Sequence, residues 1–328
     1  MSQLMRLSLA LAACAPVAAA SDLNLSIESG GSNTVTVPPC STVNYSVVGE
    51  LSDNLNEGLA LFVFNLAFNG GDLTPANAPN SAPMLNFATP LGINNPQGFG
   101  GVVMNGNLHQ IGGGQNTINN TFAAAPSGAV LTGVAQPGSP EVLATGSLTS
   151  PDKPGTYTLA VFNVAANVIR QGESGFPFWA VDKADPGTLT FLTIVVEALS
   201  GSPASLSVAG GGVHTLSLDA GSCNASRFYL VLGSFAGTSP GFPIPIAPSC
   251  TLPLNFDGYF NLTLTQPNNP PLGNTFGQLD LSGQATATLT LPAGAAPQLA
   301  GLTANHAFAL LDPLFDFASN AVPVTFVP

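Results

Sequence analysis

The chain has 328 residues, of which only 7% are charged: 5 Lys and Arg stand against 17 Asp and Glu, a formal net charge of −12. A typical globular chain carries about 25% charged residues, so stability here must rest on apolar burial and backbone ladders rather than ion pairs. The shortage of basic residues excludes nucleic acid as a partner, since phosphate neutralisation needs clustered Lys and Arg.

In chain order, Arg6 is followed by an apolar run from Leu7 to Ala13 and by Ala18, Ala19 and Ala20, the layout of a secretory signal with cleavage expected after Ala20. A competing reading takes Leu11, Ala12, Ala13 and Cys14 as a lipobox, with Cys14 lipidated. No later apolar stretch reaches the roughly 18 residues of a membrane span. The mature protein is therefore expected to be secreted or at the cell surface, with no membrane span of its own.

Past Ser21, apolar residues recur every second position, the spacing that turns one face of a strand inward. Leu23 to Ile27 is the first strand; Val35 and Val37, then Val43, Tyr45 and Val47, form two more, separated by Pro38 and Pro39, which donate no ladder N–H. Leu59 to Phe68 is apolar on both faces and suits a central strand. Leu73 to Phe122 is crowded with Asn, Gly and Pro and reads as a long decorated loop region with short strands such as Gly101 to Met104. Strand character returns at Val130 to Val134, Val142 to Leu148 and Gly155 to Ile169, and Leu189 to Glu197 closes the unit. LSGSPA, residues 199–204, is small and polar and is taken as a linker. Beyond it, seven short strands are predicted at Ser205 to Val208, Val213 to Asp219, Arg227 to Phe235, Tyr259 to Thr265, Gln284 to Leu291, His306 to Leu311 and Val322 to Val327. No capped helical spacing is evident after the signal. The expectation is an all-β chain of two β-sandwich domains, residues 21–198 and 205–328, the second with seven to eight strands, although a small closed barrel fits its pattern nearly as well.

Of the four cysteines, Cys14 leaves with the signal if cleavage follows Ala20. Cys223 and Cys250 flank one hairpin-rich region, and an exported chain permits a disulfide between them, worth roughly 3 to 4 kcal/mol by loop entropy. Cys40 is then unpaired, a small buried residue at a turn or, as the alternative, one half of an intermolecular bridge.

The chemistry-bearing residues are few. Gly237 to Gly241, GTSPG, has the G-x-S-x-G spelling of a nucleophile elbow, but Pro240 lacks the N–H that must hold the oxyanion, so a turn is expected. His109, His214 and His306 each stand alone, without metal-ligand spacing. The run Asp53 to Gly58 breaks the order of a calcium loop at Leu55, and Asp182 and Asp185 sit in VDKADPGT; both stretches read as polar turns. No cofactor is expected, with room left for a structural calcium ion assembled from separate loops. Phe176, Phe178 and the single Trp179 form an aromatic cluster; exposed on one face, it would stack on sugar rings, and buried it is core.

The succession TVTVPPCSTVNYSVVG, GLALFVFNLAF and PDKPGTYTLAVFNVAANVI, closed by a β-branched strand, resembles cohesin-like domains of bacterial extracellular proteins over about Asp22 to Ala198. The resemblance implies a nine-stranded jelly roll that binds dockerin modules of other chains through one sheet face, and a non-catalytic role. The insertion from Leu73 to Phe122 departs from that pattern, and no dockerin-type calcium repeat accompanies it. The second half resembles an unnamed β-sandwich module at the C-termini of bacterial secreted proteins, through RFYLVLGSFAGTSPG, LPLNFDGYF and LTANHAFALLD. The expected partner is another extracellular protein or a second copy, with polysaccharide binding or a subunit role in a fibre or surface lattice as alternatives. An enzyme is not expected.

Overall fold

The computed structural model describes residues 21–76, 99–115, 132–172, 180–244, 247–294, 297–312 and 315–328. The expected signal segment, Cys14 and the aromatic cluster Phe176, Phe178 and Trp179 lie outside the described residues.

The first half comprises β1 (Asp22–Glu28), β2 (Thr34–Val37), β3 (Thr42–Leu51), β4 (Asn56–Phe68), β5 (Phe99–Met104), β6 (Asn107–Gly114), β7 (Glu141–Thr149), β8 (Gly155–Arg170), β9 (Val181–Thr190) and β10 (Leu192–Val196). Alternation sets the faces: Leu23, Leu25 and Ile27 of β1, and Val43, Tyr45 and Val47 of β3, are buried while their neighbours look outward. One layer is β9-β1-β3-β7; the other runs β5-β6-β4-β8, then β10 and β2. Strand β4, apolar on both faces, is central between β6 and β8, as its sequence predicts.

Strand β9 belongs to both layers. Val181 to Ala184 pairs antiparallel with β8, and from Asp185 onward the strand pairs parallel with β1. Pro186, which has no N–H to give, sits at that change of partner. The expected single strand Leu189 to Glu197 is therefore two. Leu189 and Thr190 end β9 in one layer, and β10 returns to the other, against β8 and β2. Asp182 and Asp185 lie within β9, not in a turn: Asp182 is ion-paired with Arg170 and Asp185 with Lys183.

Only Glu197 and Ala198 separate β10 from β11 (Leu199–Ser202). The expected linker is thus a strand, because Ser and Gly in LSGS alternate with a buried Leu199 and pair antiparallel with the next long strand. The second half continues with β12 (Ser205–Ser207), β13 (Gly212–Asp219), β14 (Phe228–Ser234), β15 (Phe242–Ile244), β16 (Ala247–Leu252), α1 (Gly258–Thr265), β17 (Leu272–Gly273), β18 (Phe276–Gln278), β19 (Gln284–Leu291), β20 (Thr303–Leu310), β21 (Phe317–Ala318) and β22 (Val322–Val327). Sheet β11-β13-β19-β17 faces sheet β12-β22-β20-β14-β18, to which β21 is added beside β20. Tyr229 and Val231 of β14 enter the core between these sheets, while Leu230 and Leu232 join a separate outer cluster with Phe260 and Leu252. The second sheet is therefore covered on both faces, which accounts for the continuous apolar runs of β14 and β20.

The expected strand Tyr259 to Thr265 is the helix α1. Asp257 caps it, accepting from the Phe260 backbone N–H at 2.7 Å, and Phe260 and Thr263, three residues apart, are its buried face. Local β-branched and aromatic propensity loses to this cap and to packing on β14. Gly233 permits the approach, since a Cβ there would lie 2.3 Å from the Tyr259 ring.

The disulfide joins Cys40 to Cys223, with Cα atoms 6.1 Å apart, and not Cys223 to Cys250. Cys40, at φ 55°, caps the turn between β2 and β3, and the 3-10 turn Ser222–Asn224 packs against it. The contact is tight: a Cβ on Gly221, at φ 78°, would meet the Pro39 carbonyl oxygen at 2.0 Å. Cys250 is free and buried in the outer cluster with Leu252, Leu254 and Phe260. Asn320 straps the junction from the second half, accepting from the N–H groups of Ala198 and Leu199 and donating to the Leu199 carbonyl. The Glu197 N–H donates to the Val37 carbonyl at 3.0 Å. The two sandwiches are thus tied covalently and through the backbone.

Candidate functional site

Three surfaces merit comparison. The first is the outer face of β1, β3 and β7, where alternation leaves Asn24 and Ser26, Thr42, Asn44 and Ser46, and Thr145, Ser147 and Thr149 pointing away from the core. Hydroxyls and amides dominate this face, with Val48 beside Ser26, and two carboxylates reach into it: Glu28 lies opposite Ser46 and Glu50 opposite Asn24. A shallow depression of about 450 Å³ lies in it, between Glu28, Asn44, Ser46, Pro75, Thr145 and Ser147.

The second is a groove of about 500 Å³ at the junction, walled by Thr36 to Pro38 on one side and by Asp219, Asp280 and Gln284 on the other. Two of its three carboxylates, Asp219 and Asp280, are already engaged, and the third, Glu197, is exposed. Asp219 accepts from the Gly221 N–H and the Gln284 amide, and Asp280 from the N–H groups of Ser282 and Gln284. The groove is a product of the staple and offers a ligand little unspent polarity.

The third is an apolar cleft of about 720 Å³ in the second half, between α1, the segment Pro270 to Gly273, strand β19 and Leu299. One wall is aromatic: Phe235 lies 4.9 Å from the Tyr259 ring and 6.1 Å from that of Phe326. The Tyr259 hydroxyl is committed inward, hydrogen-bonded to Nε2 of the buried His306 at 2.9 Å. His306 in turn lies 5.9 Å from the ring of His214, whose Nδ1–H donates to the Pro203 carbonyl at 2.7 Å. Burial and the neighbouring His214 push His306 down to about 3, and burial also lowers His214 against the opposing effect of its bond to Pro203. Burial, then the charge of Asp257, raises Tyr259. Both imidazoles are therefore neutral near pH 7. Nδ1 of His306 and Nε2 of His214 have no hydrogen-bond partner among the described residues.

The other residues singled out by the sequence are scattered. Ser239 lies in an exposed turn clamped by Asn255, which donates to its carbonyl and accepts from the Gly241 N–H. His109, on β6, packs edge-on to Phe162. Asp53 accepts from the Leu55 N–H and from Ser21 and Asn56, so its carboxylate is spent on the turn. Among the described residues no group of three or more His, Cys, Asp and Glu is placed to hold a metal ion. No helix among them is long and apolar enough to cross a membrane. The cleft and the buried His pair escape sequence reasoning, since each joins segments some 30 to 90 residues apart; the available signals are Pro270-Pro271 beside Leu272 and the capping Asp257.

No family model matches this chain, and no curated protein does. Among solved structures, the ectodomain of the teleost fish polymeric Ig receptor superposes at TM-score 0.30 and 11% identity, covering 93% of this chain and 98% of its own. The major pilin GBS80 of Streptococcus agalactiae, as a 35 kDa C-terminal fragment, gives 0.28 at 9% identity, covering 93% and 90%. The type II cohesin dyad from the adaptor ScaA scaffoldin of Acetivibrio cellulolyticus gives 0.26 at 8% identity, covering 89% and 88%. Superpositions this loose carry no argument about shared fold or function.

Proposed function

We propose that this is a non-catalytic, exported recognition protein that docks another extracellular chain on the outer face of β1, β3 and β7. The observation that carries the reading is the composition of that face. Strands β3 and β7 present small uncharged polar side chains in register, Asn44 opposite Ser147 and Ser46 opposite Thr145, with Glu28 of β1 beside Ser46 as the flanking charge, and the centres of protein interfaces are depleted in charge. The resemblance of the first half to cohesin-like domains, which bind through one sheet face, supports docking on a sheet face. The Cys40–Cys223 disulfide supports an oxidising compartment, and the staple suits a body that must hold two modules in fixed relation. Capture of proteins from the producing cells' secreted material on immobilised mature protein tests this. Retention of a defined partner that is lost in the double variant Asn44→Arg/Ser147→Arg, with unchanged melting, is the expected result. Retention unaffected by those arginines, or no retention at all, refutes it.

A second reading, glycan binding, is favoured by one observation. Phe228 and Phe276, 43% and 41% exposed, stack at 6.2 Å and 15° on the edge of the second half, a platform of the type on which sugar rings stack. A glycan array with the Phe228→Ala variant as control separates this reading from docking.

A further inference from the structure

We propose that the apolar cleft of the second half is a binding site for a neutral, elongated apolar molecule: an alkyl chain carrying an uncharged polar head. The proposal is independent of the docking reading, which concerns the other half of the molecule. Its volume of about 720 Å³ falls within the range of pockets that bury most of a small ligand. The interior surface is aliphatic and aromatic, from Leu272, Leu289 and Leu291 to the Phe235–Tyr259–Phe326 wall. Pro270, Pro271 and Pro292 stand on the rim, where locked φ angles keep it formed without a ligand and reduce the ordering cost of binding. Leu262 of α1 sits at the lip, 37% exposed, an apolar side chain that an occupant would remove from water.

Charge selects the head group. No residue lining the cleft is charged, and the carboxylate acting on Tyr259 is that of Asp257, held in place by the N–H groups of Phe235, Ala236 and Phe260. A carboxylate or phosphate head would meet a like charge and no cation. Thr288 and Thr290 alternate with Leu289 and Leu291 and turn their hydroxyls to the other side of β19, so Tyr259, already committed, is the side-chain polar group inside, and the head of the occupant stays at the mouth, in water.

The test uses the full mature chain and the neutral fluorescent probe N-phenyl-1-naphthylamine. The expected result is fluorescence enhancement, reversed by 1-decanol and more strongly by 1-dodecanol, the two added methylenes tightening competition roughly tenfold. Laurate should compete at least tenfold more weakly than 1-dodecanol. Leu262→Gln at the lip and Leu299→Trp, which fills the cleft, should each weaken probe binding at least fivefold. Leu281→Gln, on a side chain 86% exposed and outside the cleft, should leave it unchanged. If the tryptophan variant does not fold, the exposed Leu262 position decides. No enhancement, laurate equal to dodecanol, or cleft variants matching Leu281→Gln would overturn the proposal. Enhancement that falls as a dimer forms in sedimentation would assign the cleft to a second copy and overturn it as well.

Discussion

Among the described residues, nearly all the buried apolar side chains of the first half, from Leu23 to Val196, form one contiguous cluster, whereas the second half divides its core into three. The difference follows from the strands. β9 leaves one layer and enters the other, so the first sandwich is closed along that side by its own backbone. Among the described residues of the second half no strand is shared between the two sheets, and one sheet also carries a helix and a hairpin on its outer face. Three thin layers leave seams, and the apolar cleft and the His214–His306 pair sit in them. The comparison teaches that the same alternating texture can yield a solid body for presenting a face and a divided one for holding something inside.

The strongest way to break this contrast is to remove a large side chain from each half. Phe64→Ala, fully buried in the single cluster, should cost about 3–5 kcal/mol and lower the melting of the first half as one unit. Phe260→Ala, in the outer cluster, should cost a similar amount locally and release α1, seen as faster amide exchange there while the β13 and β19 amides stay protected. Equal loosening throughout the second half would mean that its clusters act as one.

Next in size is the staple. Reduction, or Cys40→Ser with Cys223→Ser, should cost about 2–4 kcal/mol and split one calorimetric transition into two as the halves unfold separately. A single unshifted transition would show that the backbone straps at Asn320 suffice.

Acid sharpens the contrast. His306 is held near 3 in the fold against 6.5 in a free chain, so the unfolded state binds more protons between those values and stability must fall as pH drops through 6.5. The groups facing His306 are neutral His214 and Tyr259, with Asp257 beyond. Asp182 and Asp316, lowered first by hydrogen bonds from Arg170 and Arg227, lose their contribution only below the ordinary carboxylate range. Between pH 6.5 and 4.5 the second half should therefore weaken by a few kcal/mol while the first holds. His306→Gln should flatten that slope in urea titrations followed by pH.

The smallest effect is Asp257→Asn, whose single carbonyl oxygen can serve either the Phe260 cap or the N–H groups of Phe235 and Ala236, leaving its NH2 against the other donors. A loss of about 1–3 kcal/mol is expected from urea titration.

What was legible in the sequence was what alternation encodes. The inward rows of β1 and β3, the double-faced β4 and the turn at Ser239 follow from local pattern and from the chemistry of Pro and Gly. What was not legible depended on contacts made at long range. Cys223 pairs with Cys40 because the 3-10 turn docks on the first half 183 residues away, a fact that spacing to Cys250 conceals. Tyr259 to Thr265 spells a strand, yet it lies on β14, where Asp257 can cap it and a bare Gly233 admits the Tyr259 ring. LSGS resembles a linker in composition, but β13 offers it a ladder. Of the candidate sites, the polar face was present in the alternation of NYSVV and LATGS, while the cleft needed the fold.

The claim that two sandwiches form one stapled body is tested most directly by mapping disulfides in a non-reduced digest of the mature protein. A peptide pair joining Cys40 to Cys223, with Cys250 recovered as a free thiol, is the predicted result; a Cys223–Cys250 pair with Cys40 free would contradict it.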